Sequence, residues 1–336
     1  MLRKMLMMFL VFILFMTSQV GAAKRGIVEP EVVYTYEEMM KDLSLLSVKN
    51  KDLIEVISIG KSTFGKEIPA LHLGKGKKQV LFVGSHHGRE WLTTSLIMKM
   101  IETYADAYNK EANVGHYNPK ILDEVSIWFV PMLNPDGVEI QQKGLDSVPL
   151  GHQQLLMEMN ENDLNFKRWK ANGIGIDLNR QYPAGWKAIN GDTPYASFHY
   201  YKGTAPLEAV EVKALTRFIL KENPLISVAY HSSGRVIYWS YKNDKRVVKR
   251  DRAIAKKLTN LTRYKLAKPP KTAVGGGLTD WFITYYKRPA FTIEIGYDVN
   301  ETSLPLKVFP EEWKRNKAVG LLIADQANKL KNIELN

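Results

Sequence analysis

The sequence predicts a single α/β domain built around a mostly parallel β-sheet. Short apolar segments with strand character alternate along the chain with longer segments whose apolar residues repeat at helical spacing. The 336 residues are 45% hydrophobic, which is enough to build a sizeable core. No internal repeat and no linker-like stretch divides the chain. We therefore expect one folded unit.

The predicted elements begin after residue 34. Thr35 and Glu38 form a capping box that starts a helix running to about Val48. Segments 138–175 and 182–204 are polar and show no clear periodicity, and connections of that length are often functional. The remaining predicted strands cover 54–59, 68–73, 80–84, 126–132, 225–229, 236–238 and 290–295, and the remaining predicted helices cover 93–109, 208–220, 245–261 and 311–329.

The N-terminal segment 1–23 has the pattern of a secretory signal peptide. Arg3 and Lys4 precede an uninterrupted apolar run over 5–16, and small residues follow at 21–23. A helix of that length is about 18 Å long, too short to cross a hydrocarbon core of about 30 Å. We predict cleavage there, which leaves residues 24–336 as the mature domain and limits membrane contact to the signal peptide. An uncleaved anchor is the alternative.

Composition narrows the possible partners. Lys and Arg number 47 against 35 Asp and Glu, a formal charge of +12, which suits an anionic partner such as an anionic cell wall. The charge is spread along the chain and no basic helix or aromatic RNA-binding motif stands out, so nucleic acid is not an expected partner. The chain lacks cysteine, which excludes disulfides and a thiolate zinc site. We expect an extracellular monomer that its basic surface could hold at a cell wall.

The segment Gly84-Ser-His-His-Gly-Arg-Glu-Trp91 carries the strongest candidate metal ligands. His87 and Glu90 are three residues apart, which brings both side chains to one side of a turn or helix start. A catalytic zinc ion takes three nitrogen or oxygen ligands from the protein, and His231, at the end of a predicted buried strand, supplies the third. His86 is a competing ligand, but adjacent residues at a strand end point in different directions. Taken alone, the His-x-x-Glu spacing could also arise by chance.

Four motifs follow one another along the chain: Gly84–Trp91, Asn134-Pro-Asp-Gly137, Gly175-Ile-Asp-Leu-Asn-Arg180 and Phe291-Thr-Ile-Glu294. His231 lies between the third and fourth motifs. With these motifs in this order, the sequence resembles the zinc carboxypeptidase superfamily from about Tyr36 to the C terminus. The resemblance implies an eight-stranded mixed sheet with helices on both faces, one Zn²⁺ per chain and metallopeptidase activity.

The resemblance also implies a role for each matched residue. Glu294 corresponds to the general base, which takes a proton from the zinc-activated water and passes it to the leaving amine. Asn179 and Arg180 correspond to the pair that binds the substrate's terminal carboxylate, which suits the bidentate fork of arginine. Asp177 corresponds to the acid that orients the first histidine ligand. Thr279 falls near the pocket for the substrate side chain.

Two departures from the family pattern affect the substrate site. The arginine that polarises the scissile carbonyl falls near Trp169, where one register places Lys170 and another places Arg168. We take Arg168 as the first choice, and Arg89 is a further contributor. Thr272 stands where digestive carboxypeptidases carry a mobile tyrosine, so the chain is not a close copy of those enzymes.

One branch of the family resembles the chain most. Segments 168–172, 177–186 and 231–239 are similar to bacterial γ-D-glutamyl-diamino-acid endopeptidases, which cut the stem peptides of peptidoglycan. The resemblance therefore implies a secreted enzyme for that bond. A general metallocarboxypeptidase with peptide substrates is the first alternative. An inactive domain that binds wall polymer is the second, although the complete set of metal ligands and the base argues against it.

Overall fold

The computed structural model describes residues 26–268 and 275–330, and over those residues it shows seven strands in one mixed sheet. The strands are β1 (Ile54–Lys61), β2 (Glu67–Val83), β3 (Val125–Val130), β4 (Ile226–Ser232), β5 (Val236–Tyr238), β6 (Lys265–Leu266) and β7 (Ala290–Ile295). The helices are α1 (Tyr36–Lys49), α2 (Leu92–Asn109), α3 (Pro135–Lys143), α4 (Gln153–Met159), α5 (Val210–Glu222), α6 (Val248–Thr262), α7 (Leu278–Tyr286), α8 (Phe309–Asn316) and α9 (Val319–Lys329).

The sheet is buried on both faces, because apolar side chains of its central strands point to both sides. The strand order is β1-β2-β4-β7-β5-β6, with β3 paired to β2, and the central pairs are parallel. Along β2, Val80 and Phe82 belong to the core layer that contains α2 and α9, whereas Leu81 and Val83 belong to the layer that contains α5 and α7. Successive residues of a strand face opposite sides, so this division places helices on both faces. The predicted α/β architecture is confirmed.

The strand count differs from the eight that the family resemblance implied. The predicted strands 68–73 and 80–84 are parts of the single strand β2, which pairs with β1 through its first half and with β4 through its second half. β2 pairs with β3 along both halves, with register shifts between Leu71 and Lys78, so the backbone continues across the break in apolar pattern. Fusion reduces the seven strands predicted from the sequence to six, and the unpredicted β6 brings the described number to seven.

Other differences concern short or interrupted elements. The predicted helix 311–329 is divided into α8 and α9 between Asn316 and Val319. Helix α7 and strand β6 were not predicted from the sequence. Two short helices were also not predicted: α3 begins just before the polar segment 138–175, and α4 lies within it. The capping box of α1 is confirmed, since the Glu38 amide donates to the Thr35 hydroxyl and the Thr35 amide to the Glu38 carboxylate.

The predicted N-terminal signal segment and Thr272 lie outside the described residues. Across 26–268 and 275–330, none of the helices combines the length and the apolar character needed to cross a bilayer. The carboxyl ends of the parallel strands β2, β3, β4 and β7 meet at one edge of the sheet, where open α/β sheets place their sites.

Candidate active site

The first two predicted ligands lie where β2 gives way to helix. After β2 ends, His87 precedes a single turn of 3₁₀ helix, Gly88–Glu90, that leads into α2. His87 and Glu90 are both buried, and the Nδ1 atom of His87 lies 2.8 Å from a carboxylate oxygen of Glu90. The spacing of three residues therefore brings both side chains to one point, as predicted.

Close backbone packing holds this turn in place. A Cβ atom added to Gly88 would lie 2.2 Å from the carbonyl oxygen of Gly137, so only glycine fits there. The buried Asn134 side chain donates to the carbonyls of His86 and Ala171, at 3.0 Å each. The Asn134-Pro-Asp-Gly137 motif thus acts as a support for the ligand turn.

His231 completes the cluster from the neighbouring strand β4. Its Nδ1 atom lies 2.9 Å from the second carboxylate oxygen of Glu90 and 3.2 Å from the Nδ1 atom of His87. The prediction placed His231 just after a strand ending at residue 229, whereas β4 continues to Ser232. His86 instead lies 3.1 Å from the Tyr182 hydroxyl through its Nε2 atom.

The donor atoms of His87, Glu90 and His231 fit a zinc ion. They lie within 4.8 Å of one another, and all three residues are buried. The Nε2 atom of His87 lies 3.0 Å from Asp177, so a proton held there leaves the Nδ1 lone pair free for metal. Burial lowers the pKa of His231 despite the nearby Glu90, which favours the neutral ring that a ligand needs. Two imidazoles and a carboxylate with one open position are a catalytic zinc set.

Asp177 links the metal ligands to the predicted carboxylate-binding residues. It is fully buried, caps the 3₁₀ turn Leu178–Arg180, and accepts a hydrogen bond from the Asn179 amide at 3.0 Å. Burial opposes its ionisation, but Lys170 and His87 outweigh that effect and hold the pKa of Asp177 well below its usual value. A charged Asp177 is a strong acceptor for His87, in keeping with the predicted orienting role.

Glu294 lies beside the cluster on β7. It is partly buried and stands opposite His231 in the parallel β4–β7 register. Burial raises the pKa of Glu294 well above its usual value, and the nearby Glu90 raises it further, while Lys170 and Arg89 lower it. A carboxyl with a raised pKa beside a metal cluster is suited to accept and return a proton.

The predicted carboxylate-binding residues lie next to Asp177. The Nε atom of Arg180 is 3.6 Å from an Asp177 oxygen and has no hydrogen-bond partner, although it is buried. Asn179 accepts a hydrogen bond from the Leu278 amide at 3.1 Å, which ties it to the start of α7. Thr279 follows in α7, and its hydroxyl lies 2.7 Å from that of Thr292 on β7.

The structure separates the two candidates for carbonyl polarisation. Arg168 forms an ion pair with Glu161 at 2.7 Å and lies over the Phe198 ring, so its described side-chain contacts do not include Asp177 or the metal ligands. Lys170 is buried and lies 2.7 Å from Asp177. The geometry therefore favours Lys170 over our first choice, Arg168. The side chain of Trp169 is buried in the core, which turns its two neighbours away from that core.

Arg89 and two tyrosines add to the surroundings of the site. Arg89 is buried, donates to the backbone carbonyls of Arg168 and Glu301 at 3.3 Å each, and lowers the pKa of Glu294 by its charge. Tyr238, on β5, stands opposite Thr292 and shares a face with Glu294. The ring of Tyr200 lies under the Lys170 ammonium group, at 4.5 Å. No sequence pattern singled out these two tyrosines, since both depend on long-range contacts.

Comparison with known proteins agrees with the site. A family model described as zinc carboxypeptidase matches residues 39–319. The chain is 31% identical over 297 residues to gamma-D-glutamyl-L-diamino acid endopeptidase 1 of Lysinibacillus sphaericus. The aligned region covers 87% of this chain and 72% of that protein. It is also 31% identical over 295 residues to an uncharacterized Bacillus subtilis protein, YqgT, covering 84% and 77%.

Solved structures show the same fold. The structure of thrombin-activatable fibrinolysis inhibitor superposes with a TM-score of 0.73 at 19% identity, covering 89% of this chain and 78% of that one. Carboxypeptidase A from Helicoverpa armigera gives a TM-score of 0.67 at 17% identity, covering 90% and 75%. The site and fold together define a zinc-dependent metallopeptidase. The chain belongs to the zinc carboxypeptidase family.

Proposed function

We propose that this protein is secreted and hydrolyses the γ-D-glutamyl–diamino acid bond of peptidoglycan stem peptides. The observation that carries the proposal is Arg180. Its guanidinium group has one long ion pair, at 3.6 Å, with the acid that contacts His87, and its Nε has no hydrogen-bond partner, so donors remain for a carboxylate of the substrate. The similarity to the Lysinibacillus endopeptidase supports this substrate class.

The family resemblance places Thr279 near the pocket for the substrate side chain, and the residues there support a polar side chain. The hydroxyls of Thr279 and Thr292 are paired at 2.7 Å and carry no charge. Neither a purely aromatic nor a purely basic side chain would satisfy them, whereas a diamino acid with its own carboxylate supplies hydrogen-bonding groups. In such a residue, either the α-carboxylate or the side-chain carboxylate could reach Arg180.

The chain's own residues divide the work of hydrolysis. When bound by His87, Glu90 and His231, zinc activates water and polarises the scissile carbonyl. Glu294 takes a proton on its carboxylate and delivers it to the leaving amine. Arg180, with Asn179, fixes the carboxylate so that the scissile bond is positioned against the cluster.

A general metallocarboxypeptidase is the second candidate. It shares the carboxylate anchor, and the chain is 28% identical over 217 residues to metallocarboxypeptidase A of Trichophyton rubrum, covering 62% of this chain and 47% of that protein. Mass spectrometry of products from purified muropeptides separates the two. Release of diamino-acid fragments supports the proposal, and removal of single C-terminal residues from unrelated peptides alone contradicts it.

The carboxylate anchor has its own test. Removing one partner of a desolvated charge pair costs about 2–5 kcal/mol, so Arg180→Ala should lower kcat/KM by about 30-fold to several-thousand-fold. Amidation of the recognised carboxylate should cause a similar loss, and the two losses should not add. Arg246→Ala is the control, because Arg246 is an exposed arginine paired with Asp244. Equal cleavage of amidated and free substrates would refute the anchor.

A further inference from the structure

A second concave site lies on the far side of β5 from the catalytic residues. It is a groove of about 820 Å³ between α6 and the edge strand β6. Its floor is apolar, with Trp239, Val248, Ala253 and Leu266 among the lining residues. Trp239 is buried, and its indole nitrogen donates to the Ala267 carbonyl at 3.1 Å, which fixes the floor. We call this site the basic groove.

The banks of the basic groove carry four exposed cations and no acid. Lys249, Arg252 and Lys256 line one bank and Lys268 the other. Among the described residues, none of the four has an ion pair. Other cations of the same helix are partnered: Arg250 binds Asp251 at 2.8 Å and Lys257 binds Gln326 at 2.6 Å. No basic helix was expected from the sequence, whereas α6 presents one basic face here.

The cations form a line rather than a single point. Positions 249, 252 and 256 lie on one face of α6, and at about 1.5 Å per residue they extend along about 10 Å of helix axis. A single small anion could contact only part of that line. A chain with regularly repeated negative charges could contact all of it, and the opposite bank as well.

We propose that the basic groove binds a flexible phosphodiester polymer whose charges are joined by polyol or sugar linkers. Phosphates would lie along the two banks, and the apolar faces of the linkers would cover the floor. A flat lipid surface would not enter the concave floor. The segment 269–274, which follows Lys268, contains Lys271 and no acid, so it shares the sign of the groove instead of complementing it.

The polymer would not block catalysis. Successive residues of a strand face opposite sides, and Tyr238 stands on the side of Thr292 and Glu294. Ile237 therefore faces the opposite side from Tyr238, and Trp239, which directly follows β5 and lines the groove, belongs to the same core layer as Ile237. An occupied groove would therefore hold the enzyme on an anionic surface while the metal cluster remains open. This inference is independent of the identity of the peptide bond that is cleaved.

Charge reversal in matched pairs tests the basic groove. Arg252→Glu with Lys256→Glu changes two exposed helical cations at a spacing of four residues. Lys213→Glu with Arg217→Glu makes the same charge change at the same spacing on α5, and both of those residues are exposed. Binding of each purified double variant to a glycerol phosphate oligomer would be measured across a salt series, with circular dichroism and cleavage of a small peptide substrate to confirm folding.

The groove variant should lose at least tenfold in affinity while the control variant keeps wild-type binding. For a flexible polyanion, log K falls with log salt by about 0.7 per neutralised phosphate, so loss of two contacts should reduce the slope by about 1.4. Equal losses in both variants would show a diffuse charge effect and overturn the proposal. Binding of phosphatidylglycerol vesicles without binding of the oligomer would overturn it in favour of a membrane surface.

Discussion

The metal ligands and the residues proposed to contact the substrate are held in different ways. His87, Glu90 and His231 are buried and lie within hydrogen-bond distance of one another at the ends of central strands. Lys170 and Arg180 come from the long segment between β3 and β4, and each depends on Asp177 for its ion pair. The metal cluster is therefore preorganised by the sheet, whereas the substrate side is held by a few charged contacts.

That contrast predicts which residues tolerate change. A buried group fixed by three neighbours has no alternative position, so its loss removes the function outright. A cation held by only a few charged contacts can shift, so substitution by a residue of the same charge should restore part of its effect.

The largest expected effect is from loss of a metal ligand. His231→Ala should bring the zinc content from about one equivalent to near zero and abolish detectable turnover, because two ligands do not make a stable site. His86→Ala is the matched control, since His86 is a buried histidine that stacks on the His231 ring and hydrogen-bonds Tyr182 but contributes no donor atom to the ligand cluster. Measurement of zinc content and turnover in the two purified variants tests this prediction. Full zinc and activity in His231→Ala would remove this ligand assignment.

Glu294→Gln should separate chemistry from metal binding. Glutamine matches the shape of the side chain but cannot accept the proton, so kcat should fall by about 10²–10⁴-fold. Zinc content and KM should stay close to wild type. Glu301→Gln, which changes a carboxylate near Arg89 and His199, is the comparison. A variant with wild-type kcat would show that the base lies elsewhere.

The same contrast explains which parts of the site could be predicted from the sequence. The spacing of His87 and Glu90 encodes a local turn, and strand β7 was predicted with its observed bounds. The choice between Arg168 and Lys170 depends on which way segment 165–172 faces, and that is set by the burial of Trp169 and by distant Asp177. Helix α7 was not predicted because it begins directly after three consecutive glycines, which locally favour a turn.

Paired substitutions test the placement of Lys170 and Arg168. Lys170→Ala should lower kcat by about 10²–10³-fold, the usual loss when a donor to the developing oxyanion is removed. Lys170→Arg should restore part of that loss, which a purely structural role would not require. Arg168→Ala should stay within about threefold of wild type, because a partly exposed ion pair such as that with Glu161 contributes little. The reverse order of effects would reinstate Arg168.

The smallest expected effect concerns stability at the start of α7, beside Asn179. The Asp280 carboxylate has one long hydrogen bond, 3.4 Å from the Gly277 amide. Burial raises the pKa of Asp280 to about 7, and the Gly277 amide only partly offsets this. In the unfolded chain, the pKa of an aspartate is about 3.9. Between about pH 4 and pH 7, the folded protein therefore holds a proton that the unfolded chain has released, and the free energy of unfolding falls as the pH rises.

Asp280→Asn should remove this pH dependence, because asparagine keeps the shape of the neutral carboxyl. The variant and wild type should melt at similar temperatures at pH 4, and the variant should melt higher at pH 8, by on the order of a few °C. Asp244→Asn should instead slightly lower the melting temperature throughout this pH range, since the Arg246 hydrogen bond lowers the pKa of Asp244 and the stabilising charged form is already present there. Thermal melts across this pH range measure both. A lower melting temperature for Asp280→Asn at pH 8 would show that a charged Asp280 stabilises the amino end of α7 and the Asn179 contact attached to it.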